Sequence, residues 1–287
     1  MTHRSFRVRM PLLGLAMLAT ALNRPVSAQA PALPAWTLEK RAMHDDLSSP
    51  VGMAYDAAGH LYVANWSAGT VLRFAPDGAR SVFASGLSGP SGLAIGPSGD
   101  IFVASYSQDL VWRFTPDGKQ SVFVRGLATP AGLSFDRKGR LLIANRRTNQ
   151  ILAAHPDGRI EVAAEGLQTP VGAVELPGGE LMVSNIAGGI SLVGQDRRAR
   201  SIHDGLRSPG PGIVADREGA AAYVVDYGGT TVSRIDREGG RVVLADGLSS
   251  PVGLARTPDG NLLVATWGAN AAFRLVRTRR DAGLPAP

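Results

Sequence analysis

The chain is 287 residues long, carries a formal net charge of +6 and contains 35 glycines, 19 prolines and no cysteine. The lack of cysteine excludes a disulfide framework, a thiolate zinc site and a cysteine nucleophile. A hydrophobic content of 44% is enough for a sizeable core in one domain. The basic charge invites a nucleic-acid hypothesis, which depends on how much of that charge belongs to the folded part of the chain.

The first thirty residues have the pattern of a cleaved secretory signal. Arg4, Arg7 and Arg9 precede a mostly apolar run at 10–22, and Ala28-Gln29-Ala30 supplies a small-x-small cleavage site. The alternative is an uncleaved membrane anchor, but the run is too short to span a bilayer. Removing the four arginines of this segment from the 30 basic residues leaves 26 against 24 acidic ones, a net charge of +2. We therefore expect an exported protein, periplasmic or extracellular, with no transmembrane segment in the mature chain and no nucleic-acid partner.

A unit of about forty residues recurs six times after this segment. Its marker is a Pro-x-Gly motif, replaced by Gly-Pro-Gly at 210–212 in the fifth unit. The glycines that end it are spaced by 40 or 41 residues: Gly52, Gly92, Gly132, Gly172, Gly212 and Gly253. A second series stands in register with the first: Gly59, Gly99, Gly139, Gly179, Gly219 and Gly260. Two glycine series in phase indicate a repeat architecture.

Each unit predicts four antiparallel strands. A short strand carries the Pro-x-Gly motif, and after a turn an unalternating apolar run forms a second strand, as expected for a strand packed on both faces. These runs begin at Leu61, Ile101, Leu141, Leu181, Tyr223 and Leu262. A third strand, as at 71–74, 111–114 and 151–154, and a fourth beyond a turn complete the unit. The pattern predicts an all-β, six-bladed β-propeller of four-stranded blades, without helices in the mature chain.

The chain ends predict how the ring closes. The last unit supplies strands at 251–258, 261–265 and 272–277 but no fourth strand. Residues 41–45 precede Asp46-Leu47 as the other fourth strands precede Gly-Leu. We therefore predict that this N-terminal strand completes the last blade in a 3+1 closure, which removes an exposed sheet edge. The predicted organisation is a signal at 1–30, the propeller at 31–277 and a flexible tail at 278–287.

The repeat resembles a known family. The pattern Gly-Leu-x-x-Pro-x-Gly-Leu-Ala-x-x-x-x-Gly-x-Leu-x-Val-Ala-Asn, carried at 86–105 and 126–145, resembles the NHL-repeat propellers. It is similar, more distantly, to the senescence-marker-protein/gluconolactonase family and to virginiamycin B lyase. The resemblance to these two enzyme families implies a divalent metal at the mouth of the central channel. It also places carboxylate, Asn or His ligands, and the catalytic His of the lyases, just before the Pro-x-Gly glycine.

Metal chemistry is disfavoured by the residues at those positions, which are Val51, Ser91, Ala131, Val171, Pro211 and Val252. A hard cation needs several converging oxygen ligands, which one serine among aliphatic side chains cannot supply. His60 and His155 are predicted at hairpin turns, and His44 and His203 at the ends of outer strands, so a three-histidine site is also disfavoured. We expect no catalytic residue and no cofactor; calcium or magnesium belongs only to the enzymatic alternative.

The loops that follow the second strands form the predicted binding face, because they vary from unit to unit on a rigid scaffold. Each second strand ends in a small polar residue: Asn65, Ser105, Asn145, Asn185, Asp226 and Thr266. Their side chains either bond the backbone of a neighbouring loop, as in Asx turns, or form a polar ring that holds a ligand near the channel. Asp226 is the ionisable member and hence the best candidate for an acid/base or cation contact.

The next position in each unit is rich in aromatic residues: Trp66, Tyr106, Arg146, Ile186, Tyr227 and Trp267. With 3+1 closure the aromatic residues form a contiguous arc on blades five, six, one and two, opposite Arg146 and Arg147 on blade three. The arrangement favours a ligand with a flat or apolar body and an acidic group. Alternatively, the rings only wedge between blades.

Two function hypotheses follow. The leading one is an exported, monomeric NHL-type propeller that binds a small molecule or an envelope protein through Trp66, Tyr106, Asn145, Arg146, Asn185, Asp226, Tyr227 and Trp267. The alternative is a divalent-metal-dependent lactonase, or a lyase, acting at the channel mouth. The alternative rests on fold analogy, whereas the residues before the Pro-x-Gly glycines count against it.

Overall fold

The computed structural model describes residues 1–2 and 35–278. The predicted signal at 1–30, apart from its first two residues, and the part of the predicted tail beyond 278 lie outside the described residues. Residues 35–278 form a six-bladed β-propeller of four-stranded antiparallel blades, so the predicted fold class is confirmed. Its one helical turn is a 3₁₀ turn at Arg146–Thr148. No helix in this described part of the chain is long and apolar enough to cross a membrane.

In blades one to five the four strands follow one another in sequence from the channel outward. Blade one contains β2 (Pro50–Tyr55), β3 (Leu61–Asn65), β4 (Thr70–Phe74) and β5 (Arg80–Ala84). Blade two contains β6 (Pro90–Ile95), β7 (Ile101–Ser105), β8 (Leu110–Phe114) and β9 (Gln120–Arg125). Blade three contains β10 (Pro130–Phe135), β11 (Leu141–Asn145), β12 (Gln150–Ala154) and β13 (Ile160–Ala164).

The remaining blades repeat this order. Blade four contains β14 (Pro170–Glu175), β15 (Leu181–Asn185), β16 (Gly189–Val193) and β17 (Ala199–His203). Blade five contains β18 (Pro209–Ala215), β19 (Ala221–Asp226), β20 (Val232–Asp236) and β21 (Arg241–Ala245). Blade six contains β22 (Pro251–Arg256), β23 (Leu262–Thr266), β24 (Ala271–Thr278) and, as its outermost strand, β1 (Ala35–His44).

The strand from the N-terminal side closes the ring as predicted. β1 pairs antiparallel with β24, from Ala35 opposite Thr278 to His44 opposite Ala272. It begins six residues before the predicted 41–45 segment. Beyond it, the backbone N–H of Leu47 donates to the carbonyl oxygen of Asn270 at 2.9 Å. This closure joins blade six to the start of blade one without a disulfide.

The hydrophobic core lies between neighbouring blades rather than in one central mass. The buried residues form six clusters, one at each of the six interfaces between successive blades. The second strands supply most of the fully buried positions, and all six are buried along their whole length, namely β3, β7, β11, β15, β19 and β23. This burial on both faces explains why their sequences are continuously apolar.

The first glycine series marks the closest approach of neighbouring blades. A Cβ built on Gly132 would lie 2.5 Å from the carbonyl oxygen of Val171 in the next blade, and one on Gly172 would lie 2.6 Å from that of Pro211. Equivalent overlaps with the backbone of the following blade occur at Gly52, Gly92, Gly212 and Gly253. Because carbon atoms pack at about 3.5–4.0 Å, no side chain fits at these six positions. The overlap at Gly253 involves blade one, so the series runs around the whole ring.

The second glycine series serves the tight hairpins between first and second strands. Five members have positive φ, namely Gly59 (86°), Gly99 (86°), Gly139 (74°), Gly179 (86°) and Gly260 (85°). Gly219 is not among the positive-φ residues. Blade five departs from the repeat because its hairpin contains an extra residue, Ala220, and its second strand starts at Ala221, two residues before the predicted start.

Replacing Gly132 with alanine should lower the free energy of unfolding by about 1–3 kcal/mol, because the added methyl group is forced against backbone that cannot rotate away. Gly178→Ala is the matched control, since the nearest atom to its added Cβ is 3.6 Å away and its φ is not positive. Chemical denaturation of the two variants measures the difference. Equal stabilities would show that the inner strands are not in steric contact at this glycine.

Acidification should destabilise the closing strand through His44. Its ring stacks on Phe74, with ring centroids 4.1 Å apart. Burial lowers the pKa of His44 below its ordinary value, an effect that nearby Asp45 opposes and Arg80 reinforces. Below a pH of about 6.5 the unfolded chain therefore binds a proton that the folded chain resists, and stability falls. In denaturation measured between pH 7 and 5, His44→Gln should lose less stability than the parent; parallel curves would contradict this.

Candidate functional site

The floor of the candidate site is made by the residue that precedes each first-series glycine. These residues are Val51, Ser91, Ala131, Val171, Pro211 and Val252, one from each innermost strand. All but Ser91 are apolar. The Ser91 hydroxyl is buried against backbone carbonyl oxygens, the nearest being that of Pro130 at 3.0 Å. The floor is therefore almost entirely hydrophobic.

The wall of the site is made by the residue that follows each second-strand end. These residues are Trp66, Tyr106, Arg146, Ile186, Tyr227 and Trp267. Together with the floor they enclose a cavity of 300 Å³ at this mouth of the channel. Every blade contributes one floor and one wall residue. The sequence predicts the wall residues as part of a binding face. It does not predict the floor residues as part of the same site, although their shared register in the repeat indicates that they lie together.

Four aromatic rings form the predicted contiguous arc. The ring centroids of Trp66 and Tyr106 are 4.9 Å apart, those of Trp66 and Trp267 6.4 Å, and those of Tyr227 and Trp267 5.4 Å. The indole Nε1 of Trp267 donates to the carbonyl oxygen of Pro50 at 3.1 Å, which fixes that ring. Trp66, Tyr227 and Trp267 also pack against the core between blades six and one. These three rings therefore both pack between blades six and one and line the cavity.

Arg146 extends the arc, while Arg147 does not belong to it. Arg146 Nη1 donates to Tyr106 Oη at 2.7 Å, and its guanidinium carbon lies 5.9 Å from the centre of the Tyr106 ring. The prediction that Arg147 also faces the arc is wrong, because its guanidinium turns to the Asp109 carboxylate at 3.1 Å and lies outside the cavity. The 3₁₀ turn at Arg146–Thr148 sends the two neighbouring side chains in different directions.

The small polar residues at the second-strand ends anchor the loops that lead into the same blade. The side-chain oxygen of Asn65 accepts the backbone N–H of Ser48 at 3.1 Å, and that of Asn145 accepts the N–H of Ala128 at 2.7 Å. Asn185 holds the N–H of Gln168 in the same way, at 3.3 Å.

The other three members of this set also bond the backbone. The Ser105 hydroxyl donates to the carbonyl oxygen of Ser88 at 2.8 Å, and the Thr266 hydroxyl donates to that of Ala271 at 3.3 Å. Asp226 accepts two N–H groups, from Arg207 at 3.1 Å and Ser208 at 2.9 Å. Of the eight predicted binding residues, Asn145, Asn185 and Asp226 are therefore buried in loop anchors and do not line the cavity. The other five line it.

Asp226 should behave as a structural anchor. Asp226→Ala leaves two buried N–H groups without an acceptor and should cost about 1–3 kcal/mol of unfolding free energy. Asp226→Asn keeps one acceptor, as Asn65 does in blade one, and should cost clearly less. Thermal unfolding followed by circular dichroism separates the two. An alanine variant as stable as the parent would remove the anchoring role and return Asp226 to the ligand-binding candidates.

The residues present do not fit the divalent metal that lactonase and lyase propellers imply. Within the floor the one oxygen-bearing side chain is Ser91, and its hydroxyl faces backbone carbonyls. Across residues 1–2 and 35–278, no group of three or more His, Asp or Glu side chains could hold a metal ion. The donor set at this mouth therefore lacks the converging oxygens that a hard cation requires.

The described histidines lie away from the cavity. His60 sits at a hairpin with its Nδ1 3.0 Å from an Asp56 carboxylate oxygen, and His155 lies 3.6 Å from Glu161. His203 faces the carbonyl oxygen of Gly239 across a blade interface at 3.2 Å, and His44 stacks on Phe74. None of the four lines the cavity, as their sequence positions indicate.

No protein-family model and no curated protein sequence matches the chain. Solved structures do. A gluconolactonase from Xanthomonas campestris is 17% identical with a TM-score of 0.72, over 83% of this chain and 89% of that one. Virginiamycin B lyase from Staphylococcus aureus is 16% identical with a TM-score of 0.65, over 86% and 90%. A chain of the nidogen/laminin complex is 21% identical with a TM-score of 0.58, over 66% and 76%.

These likenesses confirm the fold that the repeat resembles, that of the gluconolactonase and virginiamycin B lyase propellers. At such low identities these similarities show the fold alone, and the chemistry of the site has to be inferred from its own residues. Enzymes and a member of a protein complex both appear among the structures with this fold. The cavity at the channel mouth therefore has to be interpreted from its lining.

Proposed function

We propose that this chain is an exported binding protein that holds a small ligand in the cavity at the channel mouth. The observation that carries the proposal is the composition of the lining. Its twelve residues comprise four aromatic rings, an apolar floor with a single serine, Ile186 and one charged side chain, Arg146. Export follows from the signal-like pattern at 1–30, and recovery of the processed chain from the periplasm or medium tests it.

The lining is built for contact rather than for proton transfer. General acid–base catalysis needs a titratable group with a pKa near the working pH, most often His, Asp or Glu, and none of these residue types lines the cavity. The Ser91 hydroxyl has no adjacent base, because its partners are backbone carbonyl oxygens. These residues therefore favour reversible binding.

Size and rigidity favour a small molecule. A volume of 300 Å³ is at the lower end of the ~300–1,000 Å³ range typical of small-ligand sites. The rings of Trp66, Tyr227 and Trp267 are half-buried and packed against the blade core, so little conformational entropy is lost when a ligand orders them. Aromatic faces and aliphatic floor residues together suit a flat or apolar body. An envelope protein that inserts one apolar side chain would use the same surface, and it is an outcome that a negative small-molecule screen would favour.

The enzymatic alternative draws on the gluconolactonase and lyase structures with the same fold. It predicts that the purified chain hydrolyses glucono-δ-lactone, or cleaves virginiamycin B by elimination without adding water, in the presence of calcium or magnesium, and that a chelator stops the reaction. The binding proposal predicts no such reaction, because the floor lacks metal ligands. Chelator-sensitive hydrolysis would contradict the proposal.

A thermal-shift screen tests the binding proposal directly. We expect naphthalene-2-carboxamide and naphthalene-2-carboxylate to raise the melting temperature of residues 31–287, because a ligand that binds only the folded state stabilises it. Calcium, magnesium, glucose and glucono-δ-lactone should produce no comparable shift. If no naphthalene compound shifts the melting temperature, the cavity does not bind flat apolar molecules.

The Trp66→Ala and Trp267→Ala variants locate the site. Each should weaken binding of naphthalene-2-carboxamide about tenfold or more, because each removes a large aromatic face from the wall. Trp112→Ala is the matched control, since Trp112 lies on β8 outside the cavity. Circular dichroism checks that the variants fold. Loss of folding in both wall variants, but not in the control, would mean that the rings serve mainly as wedges between blades.

A further inference from the structure

Arg146 is the one charged side chain among the twelve cavity residues, and it faces no acidic group. Among residues 1–2 and 35–278, its guanidinium makes one hydrogen bond, to the neutral hydroxyl of Tyr106, and no salt bridge. The adjacent Arg147 is paired with Asp109 outside the cavity. Arg147, which points away from the cavity, is thus neutralised by Asp109, whereas Arg146, which lines the cavity, has no counter-ion among the described residues.

The position of Arg146 is well fixed. Its backbone N–H donates to the carbonyl oxygen of Thr129 at 3.3 Å, and its own carbonyl oxygen accepts the N–H of Asn149, also at 3.3 Å. Asn149 ends the 3₁₀ turn in the left-handed conformation, with φ of 56°. The guanidinium then rests on the Tyr106 ring, 5.9 Å from its centre, which holds the head group beside the arc.

The contact with Tyr106 creates a joint donor site. The Tyr106 oxygen accepts a hydrogen from Arg146, and within the described part of the chain its own hydrogen has no acceptor. A guanidinium carries five N–H donors in a planar fork, and one of them is used here. The remaining donors and the phenol hydrogen lie together at one side of an otherwise apolar cavity. A carboxylate matches such a fork because it accepts two parallel hydrogen bonds.

We propose that the natural ligand is a carboxylate attached to a flat aromatic or apolar body. Its anionic group binds Arg146 and the Tyr106 hydroxyl, and its body lies against Trp66, Trp267 and Tyr227 over the apolar floor. This inference rests on the proposed function, since it names the ligand class of the same cavity. Tyr106 acts in two ways, as a donor to the ligand and as the residue that positions Arg146.

A matched pair of probes isolates the contribution of the charge. Naphthalene-2-carboxylate and naphthalene-2-carboxamide share the same ring and nearly the same shape, and they differ in the anionic group. Isothermal titration calorimetry of the parent chain should give about tenfold or tighter binding of the carboxylate, as expected for hydrogen bonds to a charged group. The preference should shrink as salt is raised, because the added ions screen the Arg146 charge at the open mouth of the cavity.

Two variants assign the preference to residues. Arg146→Gln should reduce the carboxylate preference to about twofold or less, because it weakens binding of the carboxylate more than binding of the carboxamide. Arg147→Gln is the matched control: it removes the same charge one residue away, outside the cavity, and should retain the full preference. Tyr106→Phe keeps the ring and removes the hydroxyl, so it should weaken binding of the carboxylate more than binding of the carboxamide; equal effects on the two probes would show that the hydroxyl does not bind the anionic group.

The possible outcomes separate this inference from the proposed function. If both probes bind equally and Arg146→Gln changes neither affinity, the carboxylate inference is overturned, although the cavity still binds flat molecules. If neither probe binds the parent chain, the proposed function fails as well. If Arg147→Gln lowers the preference as much as Arg146→Gln does, the effect is general electrostatic attraction, and the specific site at Arg146 is rejected.

Discussion

The close approach of the six innermost strands is the constraint on which the rest of the molecule depends. At each first-series glycine the backbone of the next blade occupies the place where a Cβ would stand, and at Gly253 that backbone belongs to blade one. The six contacts are therefore mutually dependent, because a side chain at one of them pushes its blade away from the next and strains the whole ring. The same contact explains the position of the candidate site. With the glycines committed to the seam, the residues just before them line the channel mouth.

In each repeat, most of the residues that hold the fold together stand at different positions from those that vary between units. Glycines form the seam and the hairpins, the second strands fill the blade interfaces, and the polar strand ends hold the loops. What remains in each unit is one floor residue and one wall residue. The six units fill these positions with residues as different as Ser91, Pro211, Ile186 and Arg146. In this rigid scaffold, two variable positions per blade provide the twelve residues that line one cavity.

The sequence predicts the fold well because the repeat imposes its own register. Period, strand count and 3+1 closure all follow from glycine spacing and from a last unit that lacks one strand.

The features that the sequence does not predict correctly are local. The closing strand is longer than its Gly-Leu register suggests, since its extra residues pair with a β24 that runs to Thr278. In the site, Arg146 and Arg147 are equivalent as sequence, and a 3₁₀ turn together with Asp109 decides which one faces the cavity. As the one carboxylate among the second-strand ends, Asp226 is predicted to contact a ligand. Its carboxylate instead accepts backbone N–H groups from residues 207–208, in a loop about twenty positions earlier in the sequence.

The contrast between fold and site explains how one architecture can serve enzymes and binding proteins alike. A hard cation at this mouth would need several floor positions to carry oxygen ligands, and such replacements would not touch the glycine seam, the blade cores or the loop anchors. The scaffold therefore tolerates either chemistry, and the choice lies with the floor and wall residues alone. Here the floor is aliphatic, and the charge at the mouth is a cation of the protein itself, Arg146, set against an aromatic neighbour. A bound metal and the guanidinium of Arg146 both favour an anionic ligand group at this mouth, but a metal also lowers the pKa of bound water, which a guanidinium does not do.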